Sequence, residues 1–168
     1  MALFAAISHR LPFRLTESVV ISLIAAIEAP ANEVTVAQAL DVCRSATVQE
    51  AMQKGDLLGW PRMPEDKNWK SSYETYNKVT VEVVGWRDET AGSSLSFWIA
   101  KGVNPGKACN YSLTNKDTLF AEMKAVLGPP QDEDHNEITN TAYWRLSNTE
   151  IYYTKVGSTS GFTMGRKI

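Results

Sequence analysis

The sequence predicts an α+β domain in which one antiparallel sheet of about five strands packs against helices. Three features of the residue pattern indicate this class. Apolar residues recur at helical spacing before residue 56, they alternate with polar residues between positions 79 and 99, and residues 139–156 repeat that alternation on both sides of a turn. Helices and strands therefore come in blocks, and the predicted order is α-α-β-β-β-α-β-β.

Two short helices are predicted at the start of the domain. Thr35 is placed to cap the first helix, whose inward face carries Cys43. Thr47 is placed to cap the second, which is expected to stop at Gly55, since glycine is favoured just past a helix end. Residues 58–72 contain two prolines and mixed charges, so they are predicted to form a connecting loop.

Three strands, a helix and a hairpin are predicted next. Residues 79–86 and 95–100 alternate as half-buried strands do, and residues 108–113 form a third strand. Residues 114–128 carry an apolar stripe at helical spacing and are followed by proline, which predicts the central helix. Residues 139–156 read as a hairpin, and the glycine-rich tail is expected to add an edge strand around Phe162.

The predicted hairpin has two chemically different faces. If Asn148 and Thr149 form the turn, the apolar residues of both strands share one face, which is expected to face the core. Tyr143, Arg145 and Tyr152 then lie on the other face.

Trp86 and Trp98 also lie on strand sides opposite the apolar alternation, so they are expected to extend this second face. Tyrosine, tryptophan and arginine are enriched in binding hot spots. We therefore expect a partner-binding surface formed by Tyr143, Arg145, Tyr152, Trp98 and Trp86. The alternative is that helices or the loop cover this face, in which case its tryptophans form a second core layer.

The start of the chain has the layout of a secretory signal peptide. Two arginines precede a short apolar run at residues 19–27, and Ala29 and Ala31 supply the small residues of a cleavage site. Nine helical residues reach only about 14 Å, too short for a bilayer core of about 30 Å. We expect residues 1–31 to be cleaved on export, leaving residues 32–168 as a single periplasmic or secreted domain with no stable membrane span.

The two cysteines, Cys43 and Cys109, are interpreted in the light of that compartment. Two thiols are too few for a structural zinc site, which takes four ligands. In an oxidising compartment an even pair favours a disulfide. This bridge would close a loop of about 65 residues and stabilise the fold by roughly 4 kcal/mol.

No catalytic set, metal site or cofactor motif is predicted. His135 is the only histidine beyond the predicted signal peptide. It lies in an acidic segment, predicted to be a loop, that lacks the spacing and glycine of a calcium loop. The net charge of −2, with scattered basic residues, predicts no nucleic-acid partner.

The sequence thus favours a small, exported, non-enzymatic protein that binds a protein or cell-envelope partner. Two alternatives stay open. One is a thiol-dependent hydrolase or transferase that uses a free Cys109 with His135. The other is a cytosolic, chaperone-like binding protein that keeps its N-terminal helix.

Overall fold

The computed structural model describes residues 33–167, and it confirms an α+β fold with one antiparallel sheet. The predicted signal peptide, residues 1–31, lies outside the described residues. Residues 33–167 form seven strands and four helices, more elements than the sequence predicted. The elements are α1 (Val36–Cys43), α2 (Val48–Asp56), α3 (Lys67–Asn77), β1 (Val79–Asp88), β2 (Ser93–Gly102), β3 (Gly106–Thr114), α4 (Leu119–Leu127), β4 (Asp132–His135), β5 (Thr139–Leu146), β6 (Thr149–Val156) and β7 (Thr159–Lys167).

The strands run in the spatial order β1-β2-β3-β7-β6-β5-β4, and all neighbours are antiparallel. The glycine-rich tail was expected at an edge, but β7 lies at the centre between β3 and β6. Gly161 permits this close approach, because a Cβ at that position would lie 2.5 Å from the carbonyl oxygen of Tyr111. The tail is therefore the strand that joins two three-stranded halves.

One face of the sheet, the core face, is covered by α1, α2 and α4. Large apolar side chains from six strands alternate onto it and are fully or almost fully buried. They include Trp86, Leu95, Phe97, Tyr111, Phe162, Met164, Ile151, Tyr153 and Trp144. The opposite face, the outer face, is covered by α3 over β1 and β2, where Trp69 and Tyr73 contact Trp98.

The predicted loop at residues 58–72 contains two structured parts. Its start runs along the edge of β1, where the Met63 amide donates to the Gly85 carbonyl at 2.8 Å. Its end begins α3, which Asp66 caps by accepting from two backbone amides. Hydrophobic periodicity missed α3 because none of its residues is fully buried.

The hairpin differs from the predicted register by two residues. Its turn is Ser147-Asn148, and Trp144 pairs with Ile151. A two-residue shift keeps every side chain on its own face, so the predicted core and outer sets are unchanged. The acidic segment before the hairpin was expected to be a loop, but part of it forms β4, which pairs with β5.

Two helix boundaries also differ from the sequence pattern. Thr35 and Thr47 cap α1 and α2 as predicted. Gly55, however, lies inside α2, where a Cβ would be 2.1 Å from the Trp86 ring, so it serves packing rather than helix termination. The central helix α4 begins at Leu119, because Asn115 adopts a positive φ of 58°.

The predicted disulfide is present and joins α1 to β3. Cys43 and Cys109 are both buried, and their Cα atoms are 5.3 Å apart. Two residues further along β3, the Tyr111 hydroxyl donates to the Val34 carbonyl at 2.6 Å. Burial raises the pKa of this tyrosine, which keeps it protonated as a donor. The start of the described chain is thus held on β3 at two points.

Replacing both cysteines, as Cys43→Ala/Cys109→Ala, should lower the free energy of unfolding by about 4 kcal/mol, because the bridge closes a long loop. Urea unfolding followed by circular dichroism measures this. Reduction of the wild type should shift its midpoint in the same direction, and reduction of the variant should have no further effect. Equal midpoints for oxidised wild type and variant would contradict a stabilising bridge.

Asp56, at the end of α2, connects the core to the edge of the sheet. Its Oδ1 accepts from the Trp86 indole at 3.0 Å and from Arg62 Nε at 2.8 Å, and its Oδ2 accepts from Arg62 Nη2 at 2.5 Å. The hydrogen bonds from Arg62 and then from Trp86 lower the pKa of Asp56 to about 2. The ionised carboxylate thereby satisfies the one polar atom of a buried tryptophan.

Asp56→Asn should destabilise the protein by about 1 kcal/mol at pH 7. The hydrogen bonds from Arg62 and Trp86 to the carboxylate are strengthened by its charge, but solvent exposure of the ion pair limits their contribution. The pKa is lower in the folded state, so this contribution is present above the unfolded pKa of about 4 and is lost as the pH falls towards 2. Urea unfolding of both proteins at pH 7, 5, 3.5 and 2.5 measures the difference. A difference that stays constant across this range would show that the carboxylate charge contributes nothing.

Candidate functional site

Four of the five side chains predicted to bind a partner lie on the outer face. Tyr143 pairs with Tyr152 across β5 and β6, Arg145 lies next to them on β5, and Trp98 lies on β2. Trp86 was expected to join them, but it is fully buried on the core face, where it contacts Gly55 of α2. The prediction for Trp86 is therefore wrong.

Trp86 was placed on the wrong face because helices cover both sides of β1, α2 on the core face and α3 on the outer face. Thr80 and Glu82 share the side of Trp86, but they lie at the exposed end of the strand. Their polarity indicated a solvent-exposed face, whereas the same side of β1 is buried under α2 at Trp86.

Trp98 is half-buried beneath α3. Its ring centroid lies 6.3 Å from that of Trp69 and 5.2 Å from that of Tyr73. The alternative of a second core layer therefore describes Trp98, and the layer extends only across β1 and β2. The outer face over β3, β7, β6 and β5 is not covered by any of the four described helices.

A cluster of four side chains lies on this open part, here called the Tyr/Arg cluster. Arg145 and Tyr152 are exposed, and Tyr143 and Glu150 are half-buried. The two tyrosine rings lie 4.9 Å apart between centroids. The Tyr143 hydroxyl donates to Glu150 Oε1 at 3.0 Å, and the Tyr152 hydroxyl donates to Oε2 at 3.3 Å. Arg145 donates from Nε to the Tyr143 oxygen at 2.8 Å and from Nη2 to Glu150 at 3.3 Å.

Glu150 organises the Tyr/Arg cluster. The hydrogen bond from Tyr143 is the main cause that lowers the pKa of Glu150, and the hydrogen bond to Tyr143 is the main cause that raises the pKa of Arg145. Burial and then the Glu150 charge raise the pKa of Tyr152. Arg145 and Glu150 therefore form an ion pair, and Glu150 accepts a hydrogen bond from each of the two tyrosine hydroxyls.

Sequence reasoning missed Glu150, although the signal was present. Glu150 lies directly opposite Arg145 across the hairpin. Opposite charges at facing positions of an antiparallel pair attract each other. The predicted register, displaced by two residues, hid this pairing.

A cleft of about 430 Å³ opens beside the Tyr/Arg cluster at the sheet edge. On β4, Asp132 lies opposite Tyr143 and Asp134 lies opposite Thr141, which in turn lies opposite Thr154 of β6. Carboxylate and hydroxyl groups therefore lie beside the two tyrosine rings.

The floor between the Tyr/Arg cluster and Trp98 is built from small side chains. β2 and β6 are three strand spacings apart, or about 14 Å. Over the stretch between Trp98 and the cluster, the two intervening strands, β3 and β7, present small residues on the outer face, namely Ala108, Asn110, Ser112, Gly161, Thr163 and Gly165. The result is a shallow trough with α3 on one side and Tyr152 on the other.

A second cleft, the α3 cleft, lies at the other end of the outer face. It has a volume of about 400 Å³ and is bounded by α3, by the segment along the β1 edge and by the sheet. Apolar and small side chains provide most of its lining, including Met63, Trp69, Val83, Gly85, Ser96, Trp98 and Asn110.

The structure separates the two residues of the thiol-enzyme alternative. Cys109 is held in the disulfide, and the described residues include no free cysteine. His135 lies on β4, four strand positions from β3, or about 19 Å away, where it contacts Asn140. The thiolate that this chemistry needs is therefore lacking at Cys109, and the histidine lies too far away to act on it.

Comparisons with protein-family models, with curated proteins and with solved structures found no match to this chain. Its function is therefore inferred from the geometry. Between residues 33 and 167, no helix is both long and apolar enough to cross a membrane. The same residues contain no group of three or more His, Cys, Asp and Glu side chains arranged to hold a metal ion.

Two adjacent tyrosines of β6 test the assignment of the faces. Tyr152 is 50% exposed and Tyr153 is 2% exposed. Tyr153→Ala should cost about 3–4 kcal/mol because it leaves a cavity in the core. Tyr152→Ala should cost about 1 kcal/mol or less because it removes a surface ring contact and one solvent-exposed hydrogen bond, and leaves no cavity. Equal losses in urea unfolding would contradict the two-faced sheet.

Proposed function

We propose that this is a small, exported, non-enzymatic protein that binds a protein or cell-envelope partner through the open part of its outer face. The Tyr/Arg cluster is the centre of the contact surface. One observation carries the proposal: a half-buried and an exposed tyrosine ring, Tyr143 and Tyr152, are held against each other on a sheet surface that the described helices leave uncovered.

The arrangement of the Tyr/Arg cluster suits binding because little freedom is lost when a partner docks. Ordering a mobile side chain at an interface costs about 0.5–1.5 kcal/mol. Here Glu150 already orients Tyr143, Tyr152 and Arg145 by hydrogen bonds. Large, rigid aromatic groups with a polar end are the side chains that most often dominate binding energies.

The disulfide supports the proposed location. Stable structural bridges form in oxidising compartments, such as the periplasm or the extracellular space. Cys43 and Cys109 are fully buried in this fold, as expected for a structural rather than a redox-active pair. The partner is accordingly sought in the cell envelope or among secreted molecules.

The test is capture of the partner from an envelope extract on immobilised protein. Tyr143→Ala/Tyr152→Ala should reduce the retained partner roughly tenfold or more, because removing two central hot-spot rings costs more than about 1.4 kcal/mol. The binders are compared quantitatively by mass spectrometry between wild type and variant.

Tyr76→Ala is the matched control, since Tyr76 is 87% exposed and lies on α3. It removes an exposed aromatic ring outside the open surface and should leave capture unchanged. A partner retained equally by wild type and by the double variant would contradict the proposed surface. Absence of any partner specific to the wild type would contradict it as well.

A further inference from the structure

We propose that the α3 cleft is a separate binding site for a small, uncharged and largely apolar molecule. Its volume of about 400 Å³ falls within the range of small-molecule sites. Trp69 and Trp98 contribute two aromatic walls, and Val83 adds an aliphatic one. These surfaces are the kind of lining that binds an apolar molecule by removing it from water.

Met63 and Gly85 give the cleft an adjustable floor. A Cβ at Gly85 would lie 2.4 Å from the Met63 terminal methyl, so the methionine side chain occupies the space that a larger residue would fill. Methionine is unbranched and flexible and adapts to irregular neighbours. The Met63 side chain can therefore move aside to enlarge the cleft without any change in the backbone.

The charges around the α3 cleft indicate that its ligand is uncharged. Arg62 is held by both oxygens of Asp56, and Glu65 is paired with Lys70 at 2.8 Å. Asp66 accepts two backbone hydrogen bonds as the cap of α3. Each charged side chain that lines the cleft thus already has a partner. A charged ligand would lose its hydration here without gaining a counter-ion, and that loss is costly.

Two neutral polar residues allow one hydrogen-bonding group on the ligand. Ser96 and Asn110 line the cleft on the side that borders the trough. Asn110 Oδ1 accepts from the Thr163 hydroxyl at 2.8 Å, so the amide is oriented. A hydroxyl, ether or amide group on an otherwise apolar molecule suits these residues, since a side-chain amide both donates and accepts hydrogen bonds.

This site is distinct from the partner-binding surface. The strands β3 and β7 separate Trp98 from the Tyr/Arg cluster by about 14 Å. None of the four cluster residues lines the α3 cleft. Small-molecule binding here is therefore expected to survive Tyr143→Ala/Tyr152→Ala, and failure of either proposal leaves the other standing.

A matched pair of fluorescent probes tests both the site and its charge preference. N-phenyl-1-naphthylamine is neutral, and 1-anilinonaphthalene-8-sulfonate is the same ring system with an added anionic group. The neutral probe should bind the intact protein saturably at one site and quench tryptophan fluorescence. The sulfonate should bind roughly tenfold more weakly or worse, because its charge finds no free cation at the cleft. Equal affinity for the two probes would overturn the inference.

Two serines of β2 provide a blocking variant and its control. Ser96→Phe should push the flexible Met63 methyl away from Gly85, fill the cleft and weaken binding of the neutral probe roughly tenfold or more. An aromatic residue beside a strand glycine is tolerated in sheets. Ser94→Phe places the same ring on the same strand and face, two residues away and outside the cleft, so it should leave the affinity unchanged. Full binding by a folded Ser96→Phe variant would overturn the proposed location.

A measurement on the unaltered protein does not depend on how the variants fold. Methionine methyl groups labelled with ¹³C can be followed by NMR during titration with the neutral probe, with Met63→Leu identifying the Met63 signal. The Met63 signal should shift in proportion to occupancy. The signal of Met123, which is fully buried under the core face, should not move. Saturable binding that leaves the Met63 signal unchanged would place the probe elsewhere and refute the site.

Discussion

The strand β7 holds the two halves of the sheet together. It pairs with β3 along nine residues and with β6 along seven, and without it β1-β2-β3 and β6-β5-β4 would be separate three-stranded units. The bare Cα of Gly161 lets β7 lie against the Tyr111 carbonyl. Because β7 pairs with both β3 and β6, the core face and the outer face each extend without a break across the sheet. Together with β3, β7 therefore sets both the trough floor and the distance from Trp98 to the Tyr/Arg cluster.

The sequence pattern assigns side chains to the correct face of a strand when only one side of that strand is buried, and it fails when both sides are buried. The hairpin β5–β6 is buried on one side only, so its alternation correctly separates Tyr143, Arg145 and Tyr152 from the core residues, even with the register displaced by two. The strand β1 has helices on both sides. No alternating pattern is expected there, and Trp86 was assigned to the wrong face for that reason.

Other features depend on contacts that a linear pattern does not contain. The helix α3 is mostly polar because it covers the sheet with only a few side chains, and hydrophobic periodicity overlooks such helices. The α3 cleft exists because the segment before α3 turns around the edge of β1 and brings Met63 over Gly85. The disulfide, by contrast, followed from a count of two cysteines and an expected compartment, without knowledge of the fold.

Because β7 is central, the sheet has two unpaired strand edges until this last strand is in place, and aggregation is favoured during that time. Until residues 159–167 are in place, β3 and β6 each have an edge with free backbone amides and carbonyls, and such edges template association between chains. Pairing these distant strands is intrinsically slow, because loops must close before any contact stabilises them. Cys43 and Cys109 both precede β7, so the covalent link between α1 and β3 can form while the sheet is still incomplete. It then keeps α1 on β3 during the interval in which the unpaired strand edges are exposed to other chains.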